Sequence, residues 1–146
     1  MLNNDLAEGR FQVDGRSLAL DDMKVPVFVV GTEHDHIAPW HSVFKLHLLN
    51  DGELTFVLTS GGHNAGIVSE PGHKHRHLRI RVRDAGARTL GPNEWEHDMA
   101  PRDGSWWPQW GAWLDRHSSR RVDPPPMGTT GFEPVCDAAG TYILQG

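Results

Sequence analysis

Two short apolar runs, with what lies between them, constrain this chain more than any other feature. Val25-Pro-Val-Phe-Val-Val30 is apolar on both alternating faces, the pattern of a strand covered on both sides, as in a parallel sheet. Pro26 cannot donate to a ladder and fits only near the strand's beginning. Gly31 ends the strand, and Pro39-Trp40 opens a helix to about Asn50, with Phe44, Leu48 and, on the adjacent stripe, Val43 and Leu49 as its apolar face. Asp51-Gly52 then turns the chain into a second strand, Leu54-Thr-Phe-Val-Leu-Thr59. Strand, helix and strand in this length make a βαβ unit with a right-handed crossover. The predicted fold class is therefore α/β.

Beyond this unit the pattern thins. Leu78, Ile80 and Val82 alternate with Arg79, Arg81 and Arg83, as in a half-exposed strand. Ser105 is placed to cap a helix beginning at Trp106, with Pro108 tolerated in its first turn. Trp106, Trp110, Trp113 and Leu114 share one face of that helix. After Ser118 the chain is irregular, with Pro124-Pro-Pro126 as a stiff spacer and an apolar end at Thr141-Tyr-Ile-Leu144 that is free to pair or pack. With 16 glycines, 10 prolines and only 38% hydrophobic residues, much of the chain must be loop. The division expected is a folded portion, residues 1–117, and a Pro/Gly-rich tail, residues 118–146.

The formal charge of −5 argues against general nucleic-acid binding, which needs a basic field. A single cysteine, Cys136, forms no internal disulfide and fits a reducing compartment. The first nine residues lack the basic and apolar regions of a signal peptide, and no apolar run approaches the roughly 20 residues of a membrane helix. These features predict a soluble cytoplasmic protein.

Two strand ends carry the chemistry. Gly31-Thr-Glu-His-Asp35-His-Ile follows the first strand, and Ser60-Gly-Gly-His63-Asn-Ala-Gly66 follows the second. Loops at the carboxyl ends of parallel strands are where such sheets hold their sites. A strand-end aspartate can orient an imidazole and stabilise the imidazolium formed when it takes a proton; otherwise Asp35 is a helix cap or turn residue. Glycines allow a tight backbone that presents the His63 ring at a cleft; otherwise His63 is a hydrogen-bonded loop histidine. Acid followed by histidine matches the chain order of an α/β-hydrolase triad, whose nucleophile comes first. His34 and His36 read as solvent-facing, with His36 a weak candidate for supporting the pair.

His73, His75 and His77 can share a strand face and hold a metal, but Lys74 and Arg76 intervene and a solvated basic face is preferred. The Arg79, Arg81 and Arg83 row suits an anionic partner such as coenzyme A phosphates, or forms the wet side of an edge strand. Five of the six tryptophans fall within 95–113, a stripe read as core in preference to interface or acyl channel. Cys136 has no strand–elbow–helix context, and a carboxylate beside it, Asp137, is the wrong neighbour for a thiolate, so it is not taken as a nucleophile.

With these residues in view, the chain resembles the C-terminal part of the poly(3-hydroxyalkanoate) synthases, or poly-β-hydroxybutyrate polymerases. The resembling segments are Leu2-Asn-Asn-Asp-Leu-Ala-Glu-Gly-Arg-Phe11, Val25 to Trp40, Thr55 to Val68, Gly104-Ser-Trp-Trp-Pro-Gln-Trp110 and Pro125-Pro-Met-Gly128. The resemblance implies the last βαβ unit, C-terminal helices and irregular tail of an α/β-hydrolase-like domain that uses Cys, Asp and His. It implies that His63 is the general base, that Asp35 orients it, and that the substrate is an (R)-3-hydroxyacyl-coenzyme A polymerised with release of coenzyme A. No cofactor, metal, nucleic acid or membrane is implied. The partners implied are the acyl-coenzyme A, the polyester chain, and an N-terminal synthase chain or a homo-oligomer, in the cytoplasm or at a granule surface. No Gly-x-Cys-x-Gly elbow occurs in this sequence, and the strands expected before the acid are lacking. The chain alone is therefore expected to be inactive. The alternative is a non-catalytic interaction module at polyester granules or synthase subunits, built on the tryptophan-rich face.

Overall fold

The structure is a computed structural model and describes residues 3–145; Leu2, in the first resembling segment, lies outside them. Near the start is an antiparallel hairpin, β1 (Phe11–Val13) and β2 (Arg16–Leu18). Its turn is Asp14-Gly15, with φ of 48° and 75°, the left-handed pair of a type I′ turn. The sequence reading places no strand here, although Asp-Gly is the local signal for one.

The main sheet contains β3 (Val27–Thr32), β4 (Leu54–Thr59), β5 (His77–Arg83) and β6 (Arg102–Asp103), in the order β3-β4-β5-β6. β3 and β4 are parallel, from Val27 opposite Leu54 to Thr32 opposite Thr59, the pairing a βαβ unit demands. β5 and β6 are antiparallel to their neighbours, so the sheet is mixed. β4 is buried along its whole length, whereas Val27–Val30 of β3 are only half-buried. β3 is the outer strand, which is why its burial falls short of the two-sided cover expected for it.

The helix expected to about Asn50 is divided at Lys45 into α1 (Trp40–Phe44) and α2 (Leu46–Leu49). Trp40, Phe44 and His47 supply the buried side, and Leu48 is 69% exposed, so Leu48 does not belong to the apolar face assigned to it. A further helix, α3 (Pro92–Asp98), went unread because Trp95 is its one buried residue. The last helix, α4 (Trp107–His117), begins one residue later than expected, with the Trp107 amide donating to Ser105 Oγ at 3.0 Å.

Helices cover both faces of the sheet. On one, Leu54, Phe56 and Leu58 pack with Trp40, Phe44 and Trp95; the Phe56 ring meets those of Phe44 and Trp95 edge-on at 5.1 and 5.0 Å. On the other, Val57, Leu78 and Trp106 form a second cluster with Phe28, Val30 and Ile80. Trp113 also meets Phe28 edge-on, at 5.7 Å, while Trp110 and Leu114 stay about two-fifths exposed (42% and 39%).

The arginine row is not a wet edge. Arg83 is buried and donates to the carbonyls of His47 (2.9 Å), Asn50 (2.6 Å) and Gly52 (2.7 Å), and to Thr89 Oγ1. A guanidinium here satisfies carbonyls at and just after the end of α2; that of His47 also accepts from Thr89 Oγ1 (3.1 Å), whereas those of Asn50 and Gly52 rely on Arg83. Arg79 pairs with Glu33, and only Arg81 of the three is exposed. β5 also pairs with β6, so it is not a free edge.

Beyond Ser118 the described residues form an isolated bridge, Thr129 with Phe132, and a short 3-10 turn at Tyr142–Leu144. Phe132, Val135 and Leu144 are exposed, so the apolar end does not pack. Among the described residues, no helix is long and apolar enough to cross a membrane.

Candidate active site

Because β3 and β4 are parallel neighbours, their carboxyl ends deliver the loops after Thr32 and Thr59 to the same edge of the sheet. The Glu33 amide donates to Thr59 O (2.9 Å) and the His34 amide to Gly61 O (3.0 Å), which continues the pairing into both loops. Asp35 and His63, the two residues singled out from the sequence, meet there: His63 Nδ1 lies 2.9 Å from Asp35 Oδ2.

The Asp35 carboxylate is held from several sides. Its Oδ1 accepts the backbone amides of Ile37 (2.8 Å) and Ala38 (2.9 Å), a local turn that short acidic side chains favour. Its Oδ2 is left for His63, with Thr32 Oγ1 at 3.4 Å. The side chain is only 8% exposed. The Ala38 amide, followed by the hydrogen bond from His63 and the Ile37 amide, outweighs the opposing effect of desolvation and lowers the Asp35 pKa from 3.8 to about 2. Asp35 is thus an anion at neutral pH and can only accept, so the hydrogen between the two side chains sits on His63 Nδ1.

The other imidazole nitrogen is the basic one. His63 is 44% exposed, and Nε2 makes no hydrogen bond to the described residues. A ring fixed through Nδ1–H to a carboxylate presents Nε2 as a proton acceptor, and the carboxylate stabilises the imidazolium that results.

Close backbone packing shapes the His63 loop. Gly61 has φ of 104°, and Gly66 sits so near β3 that a Cβ there would lie 2.9 Å from Thr32 Cβ. Gly66 closes the turn by donating to Gly62 O (2.9 Å). Two indoles fasten the loop from behind: Trp106 Nε1 donates to Gly66 O (3.1 Å) and Trp107 Nε1 to Ile67 O (2.9 Å). The sequence reading gave these tryptophans to the core; Trp106 is buried there, but both indole N–H groups serve the His63 loop. No local signal announces that, since the partners lie 40 residues apart.

The remaining candidates stay outside the site. His34 and His36 are exposed, and neither bonds through its ring to Asp35 or His63. The spaced histidines separate, with His73 on Glu70 (2.9 Å) and His77 on Glu33 (2.9 Å), so they share no ligand-holding face. Cys136 is exposed in the tail.

No family model matches the chain. Curated proteins do. It is 37% identical over 147 residues to the poly(3-hydroxyalkanoate) polymerase of Methylorubrum extorquens, covering 97% of the chain and 23% of that protein. To the poly(3-hydroxyalkanoate) polymerase subunit PhaC of Rhizobium etli it is 33% identical over 145 residues, 99% of the chain and 22% of the relative. To that of Cupriavidus necator it is 32% identical over 144 residues, 97% of the chain and 24% of the relative. The chain thus spans under a quarter of the length of the curated relatives it matches. Over nearly all of its own length, the chain is similar in sequence to the poly(3-hydroxyalkanoate) polymerases.

Proposed function

We propose that these residues are the C-terminal portion of the catalytic domain of a poly(3-hydroxyalkanoate) polymerase, with Asp35 and His63 as the acid and base of a Cys–His–Asp acyltransferase. The observation that carries this is the 2.9 Å contact between His63 Nδ1 and Asp35 Oδ2 at the ends of adjacent parallel strands. The parallel β3–β4 pair, helices on both faces, and an acid that precedes the histidine by one strand also support an α/β-hydrolase-like domain. In this division residues 1–117 form the domain portion and residues 118–146 its tail.

In the reaction, His63 Nε2 takes the proton of a cysteine thiol, and the thiolate attacks the thioester carbonyl of an (R)-3-hydroxyacyl-coenzyme A. The acyl–sulfur bond to coenzyme A breaks, and the imidazolium returns its proton to the departing thiolate. Asp35 holds the ring and its charge throughout. The cysteine comes from a segment carrying the elbow, since no Gly-x-Cys-x-Gly occurs in these 146 residues. A granule-binding module on the tryptophan face is less well supported, because the Trp106 and Trp107 indoles are engaged by the His63 loop.

The test is a chimera in which these residues replace the matching segment of the Methylorubrum extorquens polymerase. It is expected to release coenzyme A from (R)-3-hydroxybutyryl-coenzyme A and to lose that activity with His63→Ala. An inactive chimera that folds normally, or an active one indifferent to His63→Ala, contradicts the assignment.

A further inference from the structure

We infer that Glu33 and His77 are positioning residues that set the spacing of the acid loop against the base loop, and through it the Asp35–His63 contact. The inference rests on the reading of that contact as the acid–base pair. The last ladder row of the sheet is Thr32, Thr59 and Leu78. One residue further, Glu33, Ser60 and His77 form the next row: the Glu33 amide reaches Thr59 O, the Ser60 amide donates to His77 O (2.9 Å), and the His77 amide to Ser60 Oγ (3.1 Å).

Side chains alternate across a strand, so the members of one row face the same way. Ser60 in the middle is small, and the two outer side chains meet beside it. His77 Nε2 lies 2.9 Å from Glu33 Oε2 and 3.1 Å from Oε1, and Arg79 pairs with the same carboxylate. Since the carboxylate only accepts, Nε2–H is the donor. The Glu33 side chain is 14% exposed and that of Arg79 18%, with His77 at the rim at 35%, so the carboxylate at the centre of the group is sheltered and its charge-assisted bonds are worth more than those of a fully solvated surface pair.

Position in the chain gives the pair its role. Glu33 is two residues before Asp35, and Ser60 is three before His63. His77 therefore grips the base loop through its backbone and the acid loop through its ring. Its ring touches neither Asp35 nor His63, so its effect on the pair comes through the spacing alone.

The experiment follows the His63 Nδ1 proton by nitrogen-15 NMR of the whole chain, reading its exchange rate with water beside a thermal melt of each variant. His77→Ala and Glu33→Ala are each expected to speed that exchange about fivefold, the factor that one hydrogen bond of ordinary net strength supplies. His77→Gln, which keeps an N–H for Glu33, is expected to restore the wild-type rate. A merely structural role would shift the melting temperature and leave the exchange unchanged. Asp35→Asn is the control for the pair itself. If it speeds exchange while His77→Ala and Glu33→Ala do not, the positioning role is refuted and the acid–base pair stands. If Asp35→Asn has no effect, the pair fails and the inference with it. Should His77→Ala unfold the chain, Glu33→Ala decides by the same criterion.

Discussion

Gly66→Ala is the smallest change that should disturb the site without touching a reacting group. The new methyl would lie 2.9 Å from Thr32 Cβ and 3.0 Å from Gly62 O, and closer still to Thr32 Cγ2. The backbone at Gly66 is not left-handed, so the cost is packing and not strain. Forcing a methyl into a filled space costs roughly 1–3 kcal/mol. A shift of the loop away from β3 would also disturb the bond from Trp106 Nε1 to Gly66 O, worth about 1 kcal/mol. A net loss of about 2 kcal/mol lowers the melting temperature of a domain this size by about 6 °C. Thr32 also reaches Asp35, so the His63 Nδ1–H signal should shift as well. Circular dichroism melts and the imidazole NMR spectrum read the two effects. Thr32→Ser removes the nearest opposing atom, Cγ2, and keeps the hydroxyl, but leaves Cβ and Gly62 O in place, so the double variant should recover only part of the loss. Gly111→Ala, in α4 with nothing within 4 Å of its Cβ position, should instead stabilise by up to about 1 kcal/mol. Wild-type melting and an unmoved His63 signal in Gly66→Ala would refute the packing argument.

Two further outcomes follow from buried polar groups. Burial lowers the His47 pKa from 6.5 to about 4, with Arg83 adding to the effect; the unfolded chain then binds more protons than the folded one between those values. Stability should be complete above about pH 6.5 and fall as pH drops toward 4, by at most about 3 kcal/mol, and His47→Leu should flatten that slope in urea titrations. Replacing Arg83 with Met leaves the buried carbonyls of Asn50 and Gly52 without their donor, while that of His47 keeps Thr89 Oγ1, and should cost about 2 kcal/mol or more; a loss below about 1 kcal/mol would show that those two carbonyls find other donors.

The parts of the fold visible in the sequence are those where one chemical pattern has one structural outcome. The apolar run 54–59 is a buried central strand, and two such runs joined by a helix-length segment pair in parallel. Their loops necessarily share an edge, which is why Asp35 and His63 could be chosen before any geometry was known. What escaped depends on contacts remote in sequence. Lys45 divides the helix because His47, and not Leu48, takes the place beneath Phe44 and Phe56. α3 contributes the single buried ring of Trp95, too little for a periodic pattern. Arg83 looks like surface charge until the end of α2 comes to rest on it. Likewise, nothing near Trp106 or Trp107 indicates that their indole N–H groups fasten the histidine loop.

The most direct measurement is the protonation pattern of the His63 ring, from nitrogen-15 shifts of the labelled chain at a pH where the imidazole is neutral. An ionised Asp35 facing Nδ1 requires the hydrogen on Nδ1 and a bare Nε2, and Asp35→Asn should weaken that preference. A neutral ring carrying its hydrogen on Nε2 would contradict the account, because the nitrogen left to act as base would then be the one turned toward the carboxylate.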